Sequence, residues 1–536
     1  MKLLRDILSG RARRTAPASS VSAAELLIAA RTNLEGGEWG AAQLACEDLI
    51  RLQPDHAEAL HLLGVIAYRM RDWATALELM GRSIELDPVN ASFHNNLGGL
   101  LTYLGRPQDA AAALRRALVL DPAHLGAREN LLFLLPSLDG VGGEELRAEH
   151  EEWARLHGAP FAALGRPHAN APDPERRLRV GYVSGDFREH AVSLFMEPVL
   201  ENHDRHAVEV FCYCNNRVQD AVTARLRRGA AGWYDIAGWD DDAVAARIRS
   251  DAIDILVDLS GHLRDNRLLV FARKPAPVQI GYLGYLPTTG LATIDYRITD
   301  PLCDPPGMTE SHYSERLLRL PGCMWCYKPM AAMPEVSPPP ALEQGVATFA
   351  STNNPAKITD RMLELWARIL HRVPGSRLLI AGTAEQGRSR MLSRLHHGGV
   401  QSERVEFRDR MAHPEFWALH RRIDVLLDTY PFNGGTTSCE ALWLGVPVVS
   451  LAGRHMPARA GVSLLTHIGL ADFVVSSEEQ YVDVAAALGR DVPRLGALRA
   501  GMRQRIQASG LLDAPRYTRG LEDLYRAAWR AWCTRR

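Results

Sequence analysis

The chain has 536 residues, with 62 Lys+Arg against 63 Asp+Glu and a formal net charge of −1. That balance excludes a protein built mainly to coat nucleic acid or an anionic membrane. No run approaches the roughly 18 apolar residues of a bilayer span. At about 100–200 residues per domain the length suggests about three domains, each able to bury a core. Eight scattered cysteines do not make a disulfide framework, so a reducing, cytoplasmic setting is expected. Residues 1–20 are basic with only short apolar pairs, too weak for a secretory signal, and are expected as a mobile tail.

Residues 21–136 carry an internal repeat. Pro54, Pro88 and Pro122 are 34 residues apart, as are Ala42, Ala76 and Ala110, and Gly64 keeps the same step to Gly98. Between these marks apolar residues fall at helical spacing, small residues allow close helix approach, and Asp87-Pro88 and Asp121-Pro122 end second helices. A 34-residue helix-turn-helix period resembles the tetratricopeptide repeat, which stacks into an α-solenoid with a concave, peptide-holding face. Asn95, Asn96 and Asn130 are candidates for bonding a bound peptide backbone. They read equally well as helix-surface amides, and the repeats as a spacer or a self-association surface.

Residues 137–176 are expected as a linker containing a helix near 144–157. Beyond it the pattern becomes α/β, with parallel sheets covered on both faces. Strands are expected at 178–184, 208–214, 253–259, 278–283 and 296–298 in a first lobe, 177–335. A second lobe, 336–513, has them at 346–350, 378–381, 425–428, 446–451 and 473–476. The segment 514–536 reads as a helix packing back across both lobes. In such doubly wound sheets ligands bind at the carboxyl ends of the strands.

Three stretches there carry chemistry. After the strand ending near Asp428, a Gly434-Gly435 pair leads into a helix at Thr436 and Thr437, whose free amides and hydroxyls suit a diphosphate. Glu440, one turn on, suits two ribose hydroxyls, or alternatively only the helix dipole. Asn353, Asn354 and Lys357 follow the first strand of the second lobe; a lysine there suits a leaving diphosphate as a compact charge. His190 follows the first strand of the first lobe and suits general-base or positioning work near pH 7. Cys323 and Cys326 lack the second pair of a zinc site, and Asp240-Asp241-Asp242 reads as a helix cap.

Together these residues resemble glycosyltransferase family 41, the protein O-linked N-acetylglucosamine transferases and their SPINDLY relatives. The opening motif runs Leu178 to Ser184 with Asp186, Phe187 and His190; the middle one has Pro275 to Gln279 and Leu283-Gly284-Tyr285. The nucleotide motif runs from Asn433 to Gly445, with Arg459 in the helix that follows. The resemblance implies a GT-B fold of two Rossmann-like lobes, with His190 and Lys357 as catalytic residues. It places the donor against Asn354, Lys357, His413, Thr436, Thr437 and Glu440, and the sugar and acceptor against His262, Leu283, Gly284 and Tyr285. It also implies inverting, metal-free transfer of N-acetylglucosamine from UDP-GlcNAc to Ser or Thr of a protein, without a further cofactor. Neither nucleic acid nor membrane is expected as a partner, and a homodimer is left open. The Gly434-Gly435-Thr436-Thr437 form is SPINDLY-like, which keeps GDP-fucose as an alternative donor. A peptide-binding scaffold with an inactive catalytic lobe is the alternative of another class.

Overall fold

The computed structural model describes residues 21–163, 166–383 and 385–535. The expected N-terminal tail, residues 1–20, lies outside them. The described chain divides into two compact units, residues 21–134 with 385–389, and the remainder.

The first unit is built of helix pairs: α1 (Ala23–Glu35) with α2 (Trp39–Leu52), α3 (Ala57–Arg69) with α4 (Trp73–Leu86), and α5 (Ala91–Tyr103) with α6 (Pro107–Leu120). A further helix, α7 (Leu125–Leu134), follows. Local sequence starts them: Ser22 and Glu25 form a capping box, Asp72 accepts from the Thr75 amide, and Pro107 opens α6. The periodic alanines explain the pairing, because Ala42, Ala76 and Ala110 are each 0 % exposed. A Cβ on Gly64 would lie 2.9 Å from Met80 Cγ, and one on Gly98 2.6 Å from Leu114 Cγ. Glycine at these steps is therefore what lets the second helix of each pair seat its apolar side chain.

The second unit holds two wholly parallel sheets. The first contains β1 (Leu178–Ser184), β2 (Val208–Cys214), β3 (Gly232–Asp235), β4 (Ile255–Asp258), β5 (Val278–Gly281), β6 (Tyr296–Thr299) and β7 (Arg316–Arg319), in the order β3-β2-β1-β4-β5-β6-β7. The second contains β8 (Thr348–Ser351), β9 (Arg377–Ala381), β10 (Val405–Arg408), β11 (Val425–Leu427), β12 (Val448–Leu451) and β13 (Val474–Val475), in the order β10-β9-β8-β11-β12-β13. Both orders reverse beside the first strand of the sheet, giving switch points between β1 and β4 and between β8 and β11. The expected fold class is thus the one observed.

Three strands, β3, β7 and β10, are absent from the sequence reading. Each lies at a sheet edge, where one flank has no partner strand and every residue is half-buried or exposed. An edge strand tolerates Arg316, Arg319, Glu406 and Arg408, so it does not read as a continuous apolar run.

Two expectations about the ends of the lobes are corrected. The 137–176 linker is only partly loose: helix α8 (Gly143–Trp153) is integral to this unit, with His150 and Trp153 buried against His262 and Tyr285. The final helix, Ala514–Cys533, packs on the first lobe rather than across both. Tyr525 Oη meets Tyr182 Oη at 3.1 Å, Tyr517 Oη donates to the Met324 carbonyl at 2.6 Å, and Trp529 Nε1 donates to the Asp173 carbonyl at 2.9 Å. The lobes also touch directly: Ser463 Oγ donates to Asp300 Oδ2 at 2.6 Å, and Arg459 Nε to the Leu302 carbonyl at 3.0 Å. Among the described residues no helix is long and apolar enough to cross a membrane.

Candidate functional site at the two switch points

The chemistry-bearing residues follow strands that flank the switch points or, for β5, lie next to one that does. His190 comes after β1, His262 after β4, Leu283-Gly284-Tyr285 after β5, Asn353 to Lys357 after β8, and Asn433 to Glu440 after β11. Parallel strands end together, so the topology alone gathers these loops at the carboxyl edge of each sheet.

In the second lobe the loop after β11 is organised by Asp428. Its Oδ1 accepts from Asn353 Nδ2 (3.0 Å), the Thr429 amide (2.9 Å) and the Gly434 amide (2.7 Å), and its Oδ2 from Ser450 Oγ (2.7 Å). Burial still pushes this carboxyl up, because the donors only partly offset desolvation. Gly434 is required by space: a Cβ there would lie 2.5 Å from Ser438 Oγ, 2.7 Å from Asn353 Oδ1 and 2.8 Å from Thr437 Oγ1.

The helix Thr436–Trp443 opens behind Gly435 with no side chain capping its first amides. Those amides carry the positive end of the helix dipole, the usual setting for a phosphate. Of the two expected hydroxyls, Thr437 Oγ1 is already engaged, donating to Asn353 Oδ1 at 2.6 Å. Lys357 donates from Nζ to the Asn433 carbonyl at 2.9 Å and lies 3.6 Å over the Phe432 ring. Desolvation pulls its ammonium down to about 8, with the Asp428 carboxylate opposing.

Asn354 is exposed, and its Oδ1 caps the Ala356 amide at 3.0 Å. Its buried neighbour Asn353 ties β8 to Asp428, Thr429 and Thr437. The sequence reading includes Asn353 in the stretch but gives it no role; two adjacent asparagines carry no signal for which one turns inward.

Glu440 is 3 % exposed, and its Oε1 accepts from Nε1 of the equally buried Trp417 at 3.1 Å. Burial pushes the Glu440 carboxyl up, while the Trp417 bond and nearby His413 pull it down. His413 stacks on Trp417, with centroids 5.5 Å apart and planes 13° from parallel. Its Nδ1 lies 3.0 Å from Glu189 Oε1 of the first lobe, so a contact spans from the donor lobe to the residue before His190. Trp417 was not anticipated from sequence.

On the first-lobe side, His190 caps helix Ala191–Asn202, its Nδ1 accepting from the Val192 amide at 3.3 Å with Asp186 Oδ2 at 3.6 Å. The two tautomers offer opposite chemistry. With Nδ1 accepting the amide, Nε2 carries the proton; with Nδ1–H turned to Asp186, Nε2 is a bare base. Burial pulls the imidazole pKa down, Asp186 raises it and Arg188 lowers it.

The expected sugar-side residues are more enclosed than an open pocket wall. His262 is buried, with Nε2 against the Thr289 carbonyl at 2.8 Å and its ring edge-on to Trp153. Tyr285 Oη meets His150 Nε2 at 2.7 Å, and Leu283 adopts a left-handed φ of 69°. Gly284 sits where a Cβ would run into the Leu259 carbonyl.

In the repeats, the three asparagines bond to one another. Asn130 Nδ2 donates to Asn95 Oδ1 (2.9 Å), Asn95 Nδ2 to Asn96 Oδ1 (3.1 Å), and Asn96 Nδ2 meets His61 Nε2 at 2.8 Å. Arg459 precedes the helix Ala460–His467 instead of lying within it, its guanidinium bonded to the Leu302 and Gly453 carbonyls. Asp240 caps the Ala243 amide, while Asp241 and Asp242 pair with Arg267 and Arg273. Burial pushes the Cys323 and Cys326 thiols up to about 12.

Comparison with known proteins agrees with this fold. The model of glycosyl transferase family 41 matches residues 152–333 and 341–521, and a tetratricopeptide repeat model matches 29–80 and 61–124. A probable UDP-N-acetylglucosamine–peptide N-acetylglucosaminyltransferase SPINDLY of Arabidopsis thaliana is 39% identical over 428 residues, 77% of this chain and 46% of that one. The UDP-N-acetylglucosamine–peptide N-acetylglucosaminyltransferase of Caenorhabditis elegans is 24% identical over 474 residues, 67% of this chain and 41% of that one. The chain thus spans about half the length of the curated relatives it matches. A solved structure of a mutant O-GlcNAc transferase of Thermobaculum terrenum superposes with a TM-score of 0.87 at 38% identity, covering 97% of this chain and 100% of that one. With both lobes matched and the helix pairs accounted for by the repeat model, the chain belongs to glycosyl transferase family 41.

Proposed function

We propose that this chain transfers N-acetylglucosamine from UDP-GlcNAc to Ser or Thr of a protein acceptor, with inversion and without a metal ion. The observation that carries this is that Lys357, from the loop after β8, bonds the Asn433 carbonyl just before the uncapped helix start behind Gly435, on the loop that Asp428 organises. An acceptor hydroxyl attacks the anomeric carbon from the first-lobe side as the bond to the diphosphate oxygen breaks, and that bond's electron pair leaves with the nucleotide. The Lys357 ammonium and the helix amides stabilise the departing charge. Proton transfer from the hydroxyl suits the His190 tautomer whose Nε2 is bare. Asn354, Thr436, Thr437, His413 and Glu440 take the donor in this reading, and His262, Leu283, Gly284 and Tyr285 shape the sugar and acceptor side. Asn95, Asn96 and Asn130 serve the acceptor peptide, and the setting is cytoplasmic. The relatives named as UDP-N-acetylglucosamine–peptide N-acetylglucosaminyltransferases support the UDP-GlcNAc assignment.

Thermal-shift titration against UDP, GDP, UDP-GlcNAc and GDP-fucose tests it. Ligand at about 100 times its dissociation constant stabilises a fold by roughly 2.7 kcal/mol. Stabilisation by UDP and UDP-GlcNAc is expected. A shift with GDP and GDP-fucose alone would replace the donor by GDP-fucose, the reading that the Gly434-Gly435-Thr436-Thr437 stretch favours. No shift with any nucleotide would leave a peptide-binding scaffold.

A further inference from the structure

We infer that Trp417 is a positioning residue for nucleotide recognition, orienting the Glu440 carboxylate so that one oxygen is fixed by protein and the other is free for a donor hydroxyl. This rests on the reading above that Glu440 meets the donor's ribose. A buried carboxylate with freedom to rotate would present its oxygens indiscriminately and would have to be reordered on binding. Here the rotation is stopped. Trp417 Nε1 donates to Oε1 at 3.1 Å, both residues are buried, and among the described residues no protein donor meets Oε2.

The indole is itself held in place. It packs with Met333 and Leu444 in a small apolar cluster flanked by Met330, Phe416 and Trp443, and His413 lies parallel to it one helical turn away. An indole N–H can only donate, so the bond also favours the ionised carboxylate over the protonated one. The groups facing Glu440 electrostatically are His413 from the helix His413–Leu419, Tyr327 from the end of the first lobe, and Cys439 beside it. His413 favours the ionised form; neither Tyr327 nor Cys439 carries a charge that would, since burial pushes both up.

The test is calorimetric titration of UDP, GDP and inorganic pyrophosphate into the full chain and three variants: Trp417→Phe, Glu440→Gln and the double variant. Trp417→Phe keeps an aromatic ring and loses the donor. It is expected to weaken UDP about tenfold, the scale of one lost bond to a charged group, and to leave pyrophosphate within about twofold. Glu440→Gln is expected to lose at least as much, and the double variant no more than Glu440→Gln alone. The acid limb of UDP affinity should also move to higher pH in Trp417→Phe, because the carboxylate loses a donor and protonates earlier. Trp417→His, which keeps a ring N–H, should recover part of the affinity.

Unchanged UDP affinity in folded Trp417→Phe overturns the inference, as does equal weakening of pyrophosphate or a further loss on top of Glu440→Gln. Should Trp417→Phe fail to fold, Glu440→Gln decides by its effect on UDP against pyrophosphate: an equal effect on both overturns it. A wild-type chain that binds pyrophosphate but neither nucleotide overturns the donor reading itself, which is a different result.

Discussion

Lys357 is the side chain on which the proposed chemistry concentrates most charge. Its ammonium pKa is pulled down to about 8 by desolvation, so in the free protein the cation is present below that pH and lost above it. On this basis kcat/KM should fall as pH rises through about 8. A bound diphosphate holds the proton on, so the limb in kcat should lie higher. Lys357→Arg, charged at every accessible pH, should abolish the limb in kcat/KM even where its absolute rate is lower. Lys357→Ala should cost about 10²–10³ in kcat, measured by release of nucleotide diphosphate from donor and acceptor. A pH profile unaltered by either variant would remove Lys357 from the chemistry. The residue types were legible because a lysine and a histidine each follow the first strand of a parallel lobe, at the carboxyl end where such sheets bind ligands. Which neighbour turns inward was not: Asn354 faces solvent while Asn353 is buried among Asp428, Thr429 and Thr437. Trp417 was invisible for the same reason, since it meets Glu440 across 23 residues of chain and nothing in its local pattern separates it from an ordinary core aromatic.

The loop after β11 acts as one element. Asp428 gathers amides and side chains from β8, β12 and the loop itself, and Gly434 leaves room for Ser438, Asn353 and Thr437 to converge. Gly434→Ala should therefore act on binding more than on folding. The backbone at this position is not left-handed, so alanine is tolerated conformationally, but its methyl displaces polar atoms that shape the helix entry. We expect at least about tenfold weaker UDP binding with a melting temperature within a few degrees of the parent, scales set by one displaced bond and about 1 kcal/mol. An undiminished affinity would mean that the loop is not the diphosphate site. At this scale the sequence was most informative where strands are central. Buried strands such as β1, β4 and β8 read as apolar runs, whereas the edge strands β3, β7 and β10 carry charge and were passed over. Helix α8 was taken for part of a linker because it lies between Pro136, Gly140 and Gly142 on one side and the Pro-, Ala- and Gly-rich residues 158–175 on the other. Only the fold shows His150 and Trp153 buried against His262 and Tyr285.

Across the second unit, stability and donor binding are carried by different parts of the chain. The final helix leaves the second lobe and buries Tyr517, Leu521, Tyr525 and Trp529 on the first. Its amphipathic spacing made a packed helix predictable, but which lobe receives it depends on long-range pairs such as Tyr525 with Tyr182 and Glu522 with His203. Arg176 also lies 4.7 Å over the Trp529 ring, and Trp532 stacks on that ring at 4.7 Å. Trp529→Ala would remove a fully buried indole together with its bond to the Asp173 carbonyl. Truncations of this kind cost about 3–5 kcal/mol, visible as a lower midpoint in denaturant unfolding. The residues proposed for the donor's diphosphate and ribose belong to the second lobe, whereas the indole's bond and ring contacts are to Asp173, Arg176 and Trp532. UDP affinity, measured well below the melting temperature, is therefore expected to stay within about twofold of the parent value. An affinity that fell with stability would mean that the final helix sets the geometry of the cleft as well as holding the first lobe, and the two lobes would then have to be treated as one cooperative binding unit.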